Sequence, residues 1–365
     1  MTRDRVIVHV VPGGSENRLL QNIFFNSPEN SSIISLSWPD KYLEDWASSQ
    51  NIPYWNLNQE LSLRKPLNFI VTAIRMQQLF KEVNPTHVYF HSFMPSLLST
   101  LIFHFRKETL FIPVRHHNLV HHILRKSLYI RLDRFIGNFS DAVVAVSDSV
   151  KETIGIDGTP LTKVHVIFNA MSFERYSRNK VLDRDAPKLL AIGRIDWQKN
   201  YPDMIQMVSL VKDKYPGVTL QILGEGDPKL KGELLEQVSQ LGLEQNISFL
   251  GWRENVSEFF ADADLFVHSA LDEACPLVLL EALAAEIPIV STGNGGCKDV
   301  LDGFYESVDT SASQVFAAAV IKGIEQNEEL NRRAKEIKWS AMEKFNVAKM
   351  SRDYVDLTAK LRGKN

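Results

Sequence analysis

Short β-branched runs alternate along this chain with longer stretches whose apolar residues recur at helical spacing. The first kind includes Arg5–Val11, Ser31–Leu36, Thr86–Phe90, Phe111–Val114, Asp141–Val146 and Val164–Phe168. A second series follows at Lys188–Ile192, Thr219–Leu223, Ile247–Leu250, Ala263–Val267 and the IPIV run at 287–290. Helical periodicity marks Leu67–Leu79, Met94–Phe105, Met204–Lys214, Leu230–Gly242, Gln314–Ile324, Leu330–Ile337 and Ala341–Leu361. Strands that alternate with amphipathic helices predict an α/β protein with doubly wound parallel sheets. Ligands of such sheets bind beyond the carboxyl ends of the strands, so the residues just after each run are the ones to read for chemistry.

A chain of 365 residues exceeds what one core usually organises, which predicts two domains. The polar stretch Glu174–Pro187 marks the linker, with a first domain over 1–180 and a second over 187–340. The hydrophobic fraction of 44% is that of a soluble globular protein, and a formal charge of -3 argues against general nucleic-acid binding. Cys275 and Cys297 form no disulfide framework and lack structural-metal spacing, so a reducing compartment is expected. The N-terminal apolar run is too short for a signal peptide, and no run reaches the roughly 18 apolar residues that would span a membrane.

The first strand runs into Pro12-Gly13-Gly14-Ser15-Glu16, with a helix expected from near Ser15. Glycine permits close backbone approach and a helix start offers free N–H groups, so this is either a phosphate or sugar cradle or simply a turn. It is not the dinucleotide fingerprint. Trp38, Tyr42, Trp46, Tyr54 and Trp55 cluster next, and either line an acceptor groove or pack a core. Arg115-His116-His117-Asn118 ends a later strand, with His121 and His122 behind it. These histidines lack the thiolates or the H-E-x-x-H spacing of familiar zinc sites, so no metal is expected. From Arg106 to Arg134 seven Lys/Arg stand against two Asp/Glu among apolar residues. That stretch reads either as a surface for anionic lipid or as a solvated helix face.

In the second half, Gly193 ends a strand and Arg194 and Lys199 follow in and beyond the turn. A planar guanidinium and an ammonium so placed suit two adjacent phosphates. Glu273 and Glu281 lie within the segment DEACPLVLLE at 272–281. If one helix carries both, they share a face about 12 Å apart, a separation for two ends of an extended ligand. Arg253 and the Gly295-Gly296 turn complete the candidate ligand-binding set.

Glu273-x7-Glu281, Gly193-Arg194 with Lys199, and Gly295-Gly296 together resemble the retaining GT-B glycosyltransferases of the family 4 and group 1 type. The likeness is strongest from about Leu189 to Val300, and Ala170 departs from the Asn-Gly common in the family. The resemblance implies two Rossmann-like domains facing across a cleft, the first completed by the final helix at 341–365. It implies that Gly13 and Gly14 lie by the donor, that Arg194 and Lys199 neutralise its diphosphate, and that no metal is required. Glu281 then takes the ribose and Glu273 the sugar. A histidine near the reacting centre is implied too; His117 fits that register best, with His116 as the fallback. The implied activity is transfer from a nucleoside diphosphate sugar, UDP- or GDP-linked, to a glycan or lipid-linked saccharide. The setting would be surface polysaccharide assembly in the cytoplasm or at the inner face of the membrane. An epimerase and a non-catalytic sugar-binding subunit are the other classes such a cleft would serve.

Overall fold

The computed structural model describes residues 6–13, 17–24, 31–36, 41–102, 109–174, 176, 185–305, 307–308 and 312–362. Two compact units emerge, one of residues 1–170 with 347–365 and one of residues 171–346.

The first unit runs β1 (Ile7–Val11), α1 (Asn17–Ile23), β2 (Ser31–Ser35), α2 (Lys41–Ser49), β3 (Tyr54–Asn56), α3 (Pro66–Val83), β4 (His87–His91), α4 (Phe93–Ile102) and β5 (Leu110–Arg115). It continues with α5 (Val120–Ile123), α6 (Ser127–Phe139), β6 (Val143–Ala145), α7 (Asp148–Ile156) and β7 (Val164–Val166). The strands are parallel, in the order β3-β2-β1-β4-β5-β6-β7. β1, β2 and β4 are buried on both faces, which is why they read as near-continuous apolar runs. Val8, Val10, Val88, Phe90 and Phe111 pack there against Phe69, Met76 and Phe80 of α3.

The second unit runs β8 (Lys188–Ile192), α8 (Tyr201–Lys212), β9 (Thr219–Leu223), α9 (Pro228–Gln240), β10 (Ile247–Gly251), α10 (Ser257–Asp262) and β11 (Leu265–His268). It closes with α11 (Leu277–Ala284), β12 (Ile289–Ser291), α12 (Gly296–Leu301), α13 (Ser313–Glu325) and α14 (Asn327–Lys344). Its parallel order is β10-β9-β8-β11-β12. Leu189, Ala191, Leu220, Ile222 and Val267 pack against Ile205 and Val208 of α8 and Phe316 and Val320 of α13.

In both sheets the chain builds outward on one side of its first strand and then reverses to the other. That reversal makes the β1/β4 and β8/β11 borders the places where a ligand crevice opens.

The last helix, α15 (Val347–Arg362), returns to the first unit. There Tyr354 packs edge-on to Tyr89, whose hydroxyl lies 2.7 Å from that of Thr358. The pattern drew this helix from Ala341, but Ala341 and Phe345 are buried and group with the second unit, so the return begins after them. Tyr176 likewise departs from a purely polar linker: it is buried in the second unit, edge-on to Phe260.

Candidate functional site

Beyond β8 the chain turns at Gly193, and Asp196 caps the next short turn by accepting from the N–H groups of Gln198 and Lys199. Asn200 closes that turn in the left-handed region, φ 52°. Beyond β11, Ser269 donates to the carbonyl of Lys199 and Leu271 N–H to that of Gln198. These bonds stitch the two post-strand loops together and fix the meeting of two side chains. Lys199 Nζ bonds Glu273 Oε1, both side chains largely withdrawn from water. Gly193 leaves room for this, since a Cβ there would sit 2.9 Å from Lys199 Cε.

His268 ends β11 beneath the same carboxylate, with Nε2 3.4 Å from Glu273 Oε1 and Nδ1 3.3 Å from Ser291 Oγ. Burial alone would raise the Glu273 carboxyl, but the Lys199 charge and the His268 imidazole outweigh it and hold the pKa at about 2. Burial lowers the His268 pKa and raises that of the neighbouring Cys297 thiol, so that thiol is inert. The sequence reading missed His268, although a polar residue closing an apolar strand was the available signal.

Glu273 does not head a helix. α11 begins at Leu277, with Pro276 before it, so the spacing argument that placed both glutamates on one helical face fails. Glu273 sits in a loop whose carbonyl accepts from Gly296 N–H at 2.8 Å. Gly296 is packed so closely on the Ala274 carbonyl that a Cβ would overlap it, and Gly295 has φ 55°. The Gly-Gly pair therefore supports the glutamate loop. Glu281 does lie on α11, where Tyr176 donates to its Oε1 at 3.0 Å. Arg194 is exposed, 3.4 Å from Asp196, and Arg253 is exposed after β10.

Two Asp-x-Asp triplets occur in the chain, at 183–185 and 262–264. Asp262 and Asp264 serve the amino end of the second sheet, pairing with Lys188 Nζ and Lys188 N–H respectively, far along the strand from its ligand-facing end. Most of the first triplet lies outside the described residues.

In the first unit, Gly13 follows β1 with φ 87°, while Gly14 lies outside the described residues. So does Trp38. Of the other aromatics, Tyr42 and Trp46 are on α2, the latter edge-on to Phe24, and Tyr54 and Trp55 are on β3, with Trp55 against the core. His117 turns inward, its Nε2 3.1 Å from Asp133 Oδ2, and His121 Nδ1 reaches the same oxygen at 2.7 Å. Among the described residues these three are the one group spaced for a metal ion. Two imidazole N–H groups donating to one carboxylate oxygen already account for both distances. Burial, then the Arg115 charge, lowers the His117 pKa to about 4, so it is neutral near pH 7. Arg115 is buried, ion-paired with Asp157 and 3.8 Å from Asp133; His122 bonds the other Asp157 oxygen at 2.6 Å.

Residues 30–175 match the family described as Glycosyltransferase Family 4, and residues 172–338 match Glycosyl transferases group 1. The chain is 25% identical over 276 residues to an uncharacterized glycosyltransferase of Methanocaldococcus jannaschii, covering 70% of this chain and 68% of that one. It is 27% identical over 248 residues to the Campylobacter jejuni N-acetylgalactosamine-N,N'-diacetylbacillosaminyl-diphospho-undecaprenol 4-alpha-N-acetylgalactosaminyltransferase. That match spans 65% of this chain and 62% of the relative, under two thirds of its length. The fold of this chain is similar to that of Anabaena HepE in complex with UDP-glucose, TM-score 0.81 at 16% identity over 98% of this chain and 100% of that one. With both halves matched in order and the two-sheet fold shared, the chain belongs to the GT-B glycosyltransferases of the family 4 and group 1 type.

Proposed function

We propose that the chain is a retaining glycosyltransferase, moving a sugar from a UDP- or GDP-sugar to a glycan or lipid-linked saccharide in surface polysaccharide assembly. The observation that carries this reading is the Lys199–Glu273–His268 constellation at the carboxyl ends of β8 and β11. It supplies an ammonium for a diphosphate and, for sugar hydroxyls, a carboxylate kept ionised by Lys199 and His268, at one point of the sheet's switch border. An arriving diphosphate would draw Lys199 from Glu273 and free the carboxylate for the sugar. Arg194 would share the developing phosphate charge, and Glu281, its orientation set by Tyr176, would take the ribose. Arg253 would line the donor, with no metal called for. The HepE complex named above holds UDP-glucose, and the Campylobacter relative is named for transfer to a diphospho-undecaprenol-linked sugar; both favour this donor and acceptor class.

Work at the inner face of the membrane fits the first unit's surface. Around α5 and α6, Ile123, Leu124, Leu128 and Phe135 are exposed beside Arg125, Lys126, Arg131 and Arg134. On α3, Leu67, Ile70, Val71 and Ile74 form an exposed stripe at helical spacing. Apolar side chains flanked by cations suit an anionic bilayer surface. Among the described residues no helix is long and apolar enough to cross a membrane.

The test is nucleotide release from UDP-, GDP- and ADP-sugars, with and without saccharide acceptors and with EDTA present. Acceptor-stimulated release that survives chelation is expected. An epimerase would interconvert the donor without acceptor-dependent release, and a binding subunit would leave every donor intact; either result overturns the proposal. Loss of turnover on chelation, restored by Mg²⁺ or Mn²⁺, would overturn the metal-free site.

A further inference from the structure

The buried ring of His268 has a partner on each side. It closes β11, with Glu273 at one nitrogen and, at the other, Ser291 of the neighbouring β12 and Cys297 of α12. Nε2 lies 3.4 Å from Glu273 Oε1, longer than the roughly 2.7–2.9 Å of a settled charge-assisted bond. Lys199 Nζ bonds the same oxygen. One largely buried carboxylate oxygen therefore faces an ammonium that holds it and an imidazole that stands beside it.

The far side of the ring is built for either protonation state. Nδ1 lies 3.7 Å from Cys297 Sγ and 3.3 Å from Ser291 Oγ. Burial and the Glu273 charge keep the thiol protonated, so its S–H can donate to the Nδ1 of a neutral ring. The Ser291 hydroxyl already donates to the Thr292 carbonyl at 2.9 Å, so its oxygen can accept from a protonated Nδ1. Nε2 faces an ionised carboxylate, which only accepts, and the single proton of the neutral ring belongs there. The opposite tautomer would set a lone pair against that charge.

The surrounding charges decide when a second proton arrives. Burial holds the His268 pKa below its ordinary value, Glu273 pulls it up, and the Lys199 ammonium pushes it down again. Around them, Asp272 is buried in the Glu273 loop and its charge acts on the thiol. Tyr201 of α8 stays a phenol, donating to the Gly193 carbonyl at 2.9 Å, and Phe266 stacks on the ring from within β11. Burial and Lys199 together keep the ring neutral beside a carboxylate, and of these two Lys199 can leave.

We propose that Glu273 exchanges one cation for another on donor binding: as the diphosphate draws Lys199 away, His268 takes a proton from solvent on Nδ1 and closes on Oε1 through its Nε2–H. The new Nδ1–H is received by Ser291 Oγ. His268 is then the positioning residue that keeps Glu273 charged and aimed after its lysine has gone, since an imidazolium supplies the countercharge a largely buried carboxylate needs. The inference rests on the donor reading above and adds to it. By linkage, a proton taken up on binding makes the donor bind more tightly as pH falls from the bound toward the free pKa of His268.

Calorimetry of UDP-glucose and GDP-mannose binding between about pH 6 and 8, repeated in buffers of different ionisation enthalpy, counts the protons. The diphosphate of a sugar nucleotide has no titrating proton in this range, so the count belongs to the protein. Uptake approaching one proton per donor is expected, with Kd falling by up to about tenfold per pH unit on acidification. His268→Gln keeps an N–H for Glu273 but cannot take a proton, so it should abolish the uptake and flatten the slope. A ligand-free arm removes the lysine instead. In protein labelled with ¹⁵N-histidine, the His268 signals, identified by their loss in His268→Gln, should show a neutral Nε2–H ring in the parent. In Lys199→Met the same ring should titrate at least about one pH unit higher, and adding Glu273→Gln should cancel the rise. No uptake by the parent, uptake that survives in His268→Gln, or an unmoved His268 in Lys199→Met each overturns the proposal. A parent that binds no sugar nucleotide overturns the donor reading, while the ligand-free spectra decide the exchange of cations by themselves.

Discussion

Lys199 and Glu273 stand 74 positions apart and meet as an ion pair between the loops that leave β8 and β11, with side-chain exposures of 16% and 17%. Neither charge has enough water to be stable alone, so each is the other's support until a ligand intervenes. That dependence gives the site a measurable signature apart from catalysis.

Lys199→Met should destabilise the fold by about 3–5 kcal/mol, because it strands a largely buried carboxylate. Adding Glu273→Gln should return much of that loss, since the neutral pair asks for no countercharge. Urea unfolding of the parent, both single variants and the double variant gives the coupling directly. Simple additivity of the two losses would mean the pair does not act as one unit.

Acid stability should follow the buried histidines. The His9 and His117 pKa values, about 3 and about 4 against 6.5 in the unfolded chain, are lowered chiefly by burial, as are those of His91 and His268. Below that unfolded value the unfolded chain binds protons that the native one refuses. Stability is therefore complete above about pH 6.5 and falls as pH drops, by up to about 1.4 kcal/mol per unit for each such group. Glu273, at about 2 against 4.5, adds its own loss only below pH 4.5. Melting temperature should decline between pH 7 and 5, ahead of carboxylate titration. A flat profile over that window would contradict the buried neutral state of these rings.

The strands were legible because burial on both faces writes them as apolar runs closed by glycine or polar residues. β8 and β9 occupy Lys188–Ile192 and Thr219–Leu223 as the pattern predicts. α2 and β3 were hidden by mixed polarity, and α2 has only Leu43 and Ala47 buried. The start of α11 was misplaced because Glu273 to Glu281 has helical spacing, whereas Pro276 and the Gly296 contact hold the first part as loop. The candidate cations and glutamates could be named from local motifs. Their partners could not, since Lys199–Glu273 and His268–Ser291 join residues through strand order, which periodicity does not encode. Tyr176 escaped notice because one buried ring sits in a polar segment.

The basic and apolar surface of α5 and α6 should bring the protein down with anionic vesicles at low salt and release it as salt rises. Leu128→Glu with Phe135→Glu should weaken sedimentation beyond what charge screening alone removes, because exposed apolar side chains insert and cations only attract. Equal recovery in the supernatant with anionic and neutral vesicles would assign the patch to solvent.

Glu281 and Glu273 should fail in different ways, and the loop placement of Glu273 sharpens the contrast. Glu281 is on α11 with Tyr176 donating to it, and its proposed partner, the ribose, does not react. Glu281→Gln should remove charge-assisted hydrogen bonds of roughly 1.5–3 kcal/mol, felt alike in donor and free nucleoside diphosphate binding. Glu273→Gln should lower kcat, since contacts that strengthen in the transition state appear there. It should also free Lys199 from its competing carboxylate, so diphosphate affinity should hold or rise. Calorimetry with UDP, GDP and ADP on the parent and both variants names the base and tests the division together. If Glu273→Gln lost diphosphate affinity as badly as Glu281→Gln, the donor would have to lie in another orientation, with its diphosphate away from Lys199.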